Sequence, residues 1–296
     1  MYKIAVIGAG KWGTALFNAI KENNKVCITS RTSRDIEDFV SLEKALECPY
    51  IVMAIPAQQV AQWLDTNFKN HNQKVLVAAK GIEASSGRFL NEIFSTHIDE
   101  TNLCFLSGPS FASEVMEKLP TALVINASNT QTAQEFSKFF PSFMRTYISN
   151  DVIGAEITGA YKNVIAIAAG ITEGLGLGQN AAASLISRGL VEMHRFGVGF
   201  GALDETFLGL SGAGDLFLTA SSTKSRNFRV GLGLAKGKSQ VAILEELGEV
   251  AEGIGTAYAL HTLASERDIY LPIATEVYHI LEGKNPQKSL QDLLSR

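Results

Sequence analysis

Between Lys3 and about Ser149 the chain repeats one pattern, a short β-branched apolar run followed by a longer stretch with apolar positions at helical spacing. The runs are KIAVI, KVCITS, YIVMAI, KVLVAA, LCFLS, TALVINA and MRTYIS. Runs of this length alternating with amphipathic stretches predict β–α–β units, and so a mostly parallel sheet covered on both faces. Strand patterns stop near Asn150. From Asp151 onward the sequence reads as helices separated by glycine-rich joints such as GLGLG at 174–178 and LSGAGD at 210–215. Asn150 or Asp151 would cap the first of these helices. The expectation is an α/β domain over 1–150 and an all-helical domain over 151–296.

The first joint carries chemistry. Residues 8–13 read GAGKWG, directly after KIAVI and directly before the helical TALFNAIKE. In that context Gly8 permits a tight turn, Gly10 lets the backbone approach a pyrophosphate, and Gly13 lets helix pack on strand, with the helix N-terminus attracting negative charge. A bound dinucleotide is expected, and with it a Rossmann-type domain. The second strand should end about 20 residues further on, where NAD-specific sites often place an acid on the ribose 2′-hydroxyl. Here the stretch is ITSRTSRD. Ser30 and Arg31 occupy the strand end, and Arg31 or Arg34 suits a 2′-phosphate through a guanidinium fork. The expectation leans to NADP, with NAD or dual use as alternatives and a solvated loop charge as the plain reading of either arginine.

Other strand ends converge on the same edge. YIVMAI runs into Pro56, VLVAA into Lys80-Gly81, and CFLS into Gly108-Pro109-Ser110. In open α/β sheets these C-terminal ends line the ligand crevice. In the helical half, GAYKNVIAIAAG (159–170) sets Lys162 in a run of small and apolar residues. Its neighbours at helical spacing are Ala155, Thr158, Gly159, Ile165, Ala166 and Ala169, so the helix itself offers no carboxylate. Desolvation or a nearby cation would favour the neutral amine and fit it for proton exchange. The bland alternative is a lysine reaching water at the helix edge. Residues 211–231, SGAGDLFLTASSTKSRNFRVG, then combine an aspartate, Asp215, with the triplet Ser225-Arg226-Asn227 at a helix start. Those groups suit a phosphorylated polyol. Asp215 would hold a substrate hydroxyl or orient Lys162.

Composition narrows the class. The 296 residues are 46% hydrophobic and 19% charged, with a formal net charge of −4. No basic stripe of the kind nucleic-acid binding needs is present, which points to a small-molecule partner. Cys27, Cys48 and Cys104 stand apart without metal-type spacing, so no metal site is expected and reduced thiols in a cytoplasmic setting are. The entry of the first strand within a few residues of Met1, and the lack of an unbroken apolar run of about 20 residues, argue against an export signal or stable membrane insertion.

Taken in order, the motifs resemble those of bacterial NAD(P)-dependent glycerol-3-phosphate dehydrogenases over nearly the whole chain. They are GAGKWGTAL, the AKGIE around Lys80, SGPSFA at 107–112, GAYKNVIAIAAGI, LISRGLVEM at 185–193, GAGDL at 212–216, SRN at 225–227 and VAEGIGTA at 250–257. The resemblance implies a Rossmann-type domain followed by a helical one. It also implies hydride exchange with dihydroxyacetone phosphate and glycerol 3-phosphate, and a supply of the latter for phospholipid synthesis. By position it makes Lys162 the proton donor and acceptor, and Lys80, Gly108, Ser110, Asn163, Asp215, Ser225, Arg226 and Asn227 substrate contacts. Gly8, Gly10, Lys11, Trp12, Gly13, Arg31, Lys80, Ala112, Arg226, Val250 and Glu252 fall at cofactor positions.

Some features depart from that family pattern. The segment after the second strand, SRTSRDIEDFVSLEKALECP, is shorter than usual by roughly a helix and loop, which bears on nucleotide preference. Tyr161 stands where an aliphatic residue is usual and Phe228 where a second arginine is common. The competing readings are a 3-hydroxyacid dehydrogenase of related build and a dinucleotide-sensing protein without turnover. The helical half has long apolar faces that permit a homodimer.

Overall fold

The computed structural model describes residues 2–295. The chain forms two compact units, Met1–Lys80 with Leu90–Ala155, and Gly81–Phe89 with Glu156–Arg296.

In the first unit each predicted apolar run is a strand: β1 (Ile4–Ile7), β2 (Val26–Thr29), β3 (Tyr50–Met53), β4 (Lys74–Val77), β5 (Leu103–Ser107), β6 (Thr121–Asn126) and β7 (Met144–Ser149). The helices between them are α1 (Lys11–Lys21), α2 (Leu42–Leu46), α3 (Val60–Asn67), α4 (Leu90–Ser95), α5 (Ala112–Met116) and α6 (Thr130–Ser137). The sheet order is β2-β1-β3-β4-β5-β6-β7, and only the β5–β6 pairing is antiparallel. Side chains alternate between faces along a strand. Ile4 and Val6 of β1 thus join Leu16 and Phe17 of α1 on one face, while Ile7 joins Leu64 of α3 and Phe94 of α4 on the other. Both faces are buried, which is why the strands read as continuous apolar runs.

Strand order reverses at β1, with β2 to one side and β3 to the other. The C-terminal ends Ile7, Thr29, Met53 and Val77 lie in register across four strands, so the loops that follow them share one edge. This is where open α/β sheets bind ligands. The short segment after β2 forms an isolated bridge, Ile28 with Phe39, and then α2, capped by the Ser41 hydroxyl. Two of its acids face back toward α1. Lys21 pairs with Glu37 at 3.0 Å and Asp38 at 2.6 Å, and the Tyr2 hydroxyl donates to Asp38 at 2.8 Å.

The second unit is built on α7 (Val152–Gly174), whose first residues lie in the first unit, and on α8 (Gly178–Val198), α9 (Asp204–Leu208) and α10 (Asp215–Ala220). The remaining helices are α11 (Arg226–Ala235), α12 (Gln240–Leu247), α13 (Glu252–Arg267), α14 (Pro272–Leu281) and α15 (Pro286–Leu294). Among the described residues α7 alone is long and apolar enough to cross a membrane, but 89% of that apolar window is buried inside the protein. Its small residues admit close neighbours. A Cβ on Gly170 would stand 2.0 Å from the Phe228 carbonyl oxygen, and one on Gly231 2.0 Å from that of Ile167, so α7 and α11 meet backbone to backbone. Residues 81–89 close a short loop through an Ile82–Phe89 bridge, and the Phe89 ring meets that of Phe200 edge to face at 5.2 Å.

Candidate active site

The β1–α1 loop is shaped for an anion. Gly8 has φ +111°, and a Cβ there would lie 2.5 Å from the Ala54 carbonyl oxygen; one on Gly13 would lie 1.8 Å from that of Gly8. Side chains at both positions are excluded by backbone. Gly10 differs, because a Cβ there meets nothing within 4 Å. It caps α1 with extended backbone and no side-chain hydrogen bond, so that the positive end of the helix dipole opens onto the loop. Lys11 is exposed, and Trp12 is half-buried with its indole N–H on the Ala78 carbonyl at 3.1 Å. The residues present fit a dinucleotide pyrophosphate. Arg31 and Arg34 are exposed beyond the end of β2, while Ser30 bonds the Thr32 carbonyl at 2.8 Å.

Along the same edge the Lys80 ammonium donates to the Gly108 carbonyl at 3.1 Å, and the Ser110 hydroxyl donates to the same oxygen at 3.3 Å. The ends of β4 and β5 are thereby joined through three of the candidate residues. Ala112 opens α5 and packs, like Trp12, against the core on the α1 face.

In the second unit the partner that α7 itself does not offer Lys162 comes from α10. The Lys162 ammonium lies 2.5 Å from Asp215 Oδ1 and 3.1 Å from the Thr219 hydroxyl. Lys162 is 7% exposed and Asp215 1%, so the pair is buried. Asp215 is set by the π-helical turn Leu210–Gly214, in which the Gly214 N–H reaches back to the Gly209 carbonyl at 3.1 Å. Thr219, absent from the sequence reading, lies one helical turn after Asp215 and donates to it at 3.3 Å.

The triplet at the start of α11 divides its roles. The Ser225 hydroxyl caps the helix by accepting the Phe228 N–H at 3.3 Å. Arg226 points outward, 44% exposed at its side chain, and meets Glu249 at 3.4 Å. Asn227 is buried. Its amide donates to Asn163 on α7 at 2.9 Å and its oxygen accepts the Gly253 N–H of α13 at 3.0 Å, supplying the cap that Ala251 cannot. Asn163 donates in turn to the Gly159 carbonyl at 3.2 Å. Val250 is 45% exposed, and half-buried Glu252 opens α13.

Comparison with known proteins bears on both units. The N-terminal family model of NAD-dependent glycerol-3-phosphate dehydrogenase matches residues 30–133 and the C-terminal one residues 151–292. A glycerol-3-phosphate dehydrogenase, NAD(P)+, of Sulfurimonas denitrificans is 67% identical over the full length of both chains, and one of Campylobacter jejuni is 59% identical over 99% of each. The crystal structure of glycerol-3-phosphate dehydrogenase from Coxiella burnetii superposes with a TM-score of 0.91 at 32% identity, covering 100% of this chain and 99% of that one. The chain belongs to the NAD-dependent glycerol-3-phosphate dehydrogenase family.

Within that family the two unusual residues acquire reasons. Tyr161 is fully buried, its ring against Phe196, and its hydroxyl donates to Glu192 on α8 at 2.8 Å. Glu192 also accepts the N–H groups of Ile273 and Ala274 in the first turn of α14, each at 2.8 Å. One carboxylate thus ties three helices. Burial pushes the Glu192 carboxyl above its ordinary range, and the Ala274 and Ile273 N–H groups and the Tyr161 hydroxyl pull against that. Phe228 is buried where its helix meets α7, a place suited to an apolar ring. Among the described residues no cluster of three metal-ligating side chains occurs, and the three cysteines are free thiols.

Proposed function

We propose that Lys162 is the proton donor and acceptor of the family's reaction, the interconversion of dihydroxyacetone phosphate and sn-glycerol 3-phosphate with NAD(P)H. The buried Lys162–Asp215 pair is the observation that carries this reading. The bound nicotinamide supplies the hydride in reduction and takes it in oxidation. Lys162 gives its proton to the oxygen of the carbon being reduced, and takes one back in the other direction. Asp215 and Thr219 accept from Nζ and so fix where its N–H bonds point. Lys80 contacts substrate and offers a second positive group to the developing alkoxide. Arg226 binds the phosphate through its fork, so that binding remote from the reacting carbon helps to orient it. Asn163 and Asn227, already bonded to one another, hold the elements on which Lys162 and Arg226 stand.

The N-terminal loop receives the pyrophosphate at Gly10 and the start of α1, with Lys11, Trp12 and Ala112 around it, and Val250 and Glu252 contribute further cofactor contacts. Arg31, with Arg34 near it, favours NADP over NAD. The acids of the same segment that lie nearest to α1 are engaged by Lys21 and Tyr2, which supports that preference. The product serves phospholipid synthesis in the cytoplasm, a setting that free thiols support. Val191 and Val198, seven residues apart on α8 and about half exposed, support a homodimer.

Consumption of NADPH and NADH, followed with dihydroxyacetone phosphate and with a 3-oxoacid, tests the reading. Turnover on dihydroxyacetone phosphate alone, faster with NADPH, is expected. Turnover on the 3-oxoacid instead, or none by folded protein, contradicts it.

A further inference from the structure

The guanidinium of Arg226 faces a carboxylate of its own chain. Its Nη1 lies 3.4 Å from Glu249 Oε2, in a pair whose side chains are 44% and 25% exposed. Glu249 stands in the joint between α12 and α13, after Gly248, which ends α12 at φ +60°. That joint is held by another contact, the buried bond from the Gly253 N–H to Asn227, itself fixed by Asn163. The neutral clamp sets the segment. The half-exposed ion pair beside it, at 3.4 Å, adds little to the fold. Its consequence is electrostatic, since it places a negative group where an incoming anion would bind.

We propose that Glu249 is an internal competitor for the substrate phosphate at Arg226, a residue that sets the affinity for phosphorylated substrate; this rests on the reading of Arg226 as a phosphate ligand. A phosphate monoester carries close to two negative charges and three acceptor oxygens at neutral pH, so at Arg226 it outcompetes a single-charged carboxylate held at 3.4 Å. Binding must first separate Arg226 from Glu249, and the carboxylate returns as the phosphate leaves. The site therefore binds less tightly than a bare guanidinium would, and product departs from an arginine that has a counter-ion ready.

The test measures KM for dihydroxyacetone phosphate in Glu249→Gln, in Arg226→Ala and in the double variant. Glu249→Gln keeps the shape and removes the charge. KM is expected to fall about two- to fivefold, the range of an ion pair of this exposure, and the effect to shrink as salt is raised. Arg226→Ala is expected to raise KM, and adding Glu249→Gln to it to change nothing further. If Arg226→Ala raises KM while Glu249→Gln leaves it unchanged or raises it, Glu249 is no competitor and this inference alone falls. If Glu249→Gln acts equally in the Arg226→Ala background, it works through another group and the inference again falls. An unchanged KM in Arg226→Ala overturns the phosphate reading, and this inference with it.

Discussion

Lys162 and Tyr161 are adjacent on α7, and each finds its partner on a different helix. Lys162 meets Asp215 on α10, and Tyr161 meets Glu192 on α8. The hydroxyl of Tyr161 is one of three donors to a buried carboxylate, and a phenylalanine would fill the same space without it. Tyr161→Phe is expected to cost about 1–3 kcal/mol of stability, read as a lower urea midpoint at unchanged slope; an unchanged midpoint would show that Glu192 does not depend on this donor. The sequence made Asp215 a candidate either to hold a substrate hydroxyl or to orient Lys162, because a carboxylate accepts hydrogen bonds. It did not disclose Thr219, although its spacing of four from Asp215 places both on one helix face. Nor could it explain Tyr161, because Glu192 is distant in the chain and only packing of α7 on α8 brings them together.

At the scale of elements, the β1–α1 loop separates a residue needed for folding from one needed for binding. A Cβ on Gly13 has no room beside the Gly8 carbonyl, whereas one on Gly10 meets no protein atom. Gly13→Ala is expected to lower the melting temperature. Gly10→Ala should fold normally and raise KM for NADPH on the order of tenfold, a loss of about 1.4 kcal/mol. Equal stability of the Gly13 variant, or unaltered cofactor affinity of the Gly10 variant, would refute this assignment. On α13, His261 stacks on Tyr278 of α14 at 3.8 Å, and burial, with His279 beside it, holds its pKa below the ordinary value. The unfolded chain then binds the proton more readily, so stability rises with pH. The contribution is present above about pH 6.5, the unfolded value, and is lost as pH falls through the lower folded one. Urea midpoints should drop from about pH 7 to about pH 5.5, and less so in His261→Gln; parallel profiles would exclude His261 as the cause. The first five strands were legible because buried parallel strands are apolar on both faces, whereas β7, largely exposed, carries a weaker apolar pattern. Residues 81–89 were not legible, since their place in the second unit rests on contacts such as Phe89 with Phe200 that no local pattern records.

For the whole molecule, the change from short β-branched runs to helical spacing near residue 150 was enough to read an α/β part followed by a helical one, and mixed charge was enough to turn attention from nucleic acid to small ligands. Cofactor preference is less legible, because Arg31 and Arg34 are exposed and an exposed arginine has many uses. A cofactor that binds only the native protein raises its stability by mass action. NADPH at about 100 times its Kd should add about 2.7 kcal/mol, seen as a higher melting temperature, with NADH at the same concentration adding less. No shift with either would contradict the dinucleotide site. The central claim, that Lys162 exchanges the proton of the reaction, is tested most directly by the kcat of Lys162→Ala with dihydroxyacetone phosphate and NADPH, alongside a melting curve showing intact folding. A loss of at least about 100-fold in kcat is expected; near-normal turnover by the folded variant would exclude Lys162 from that role.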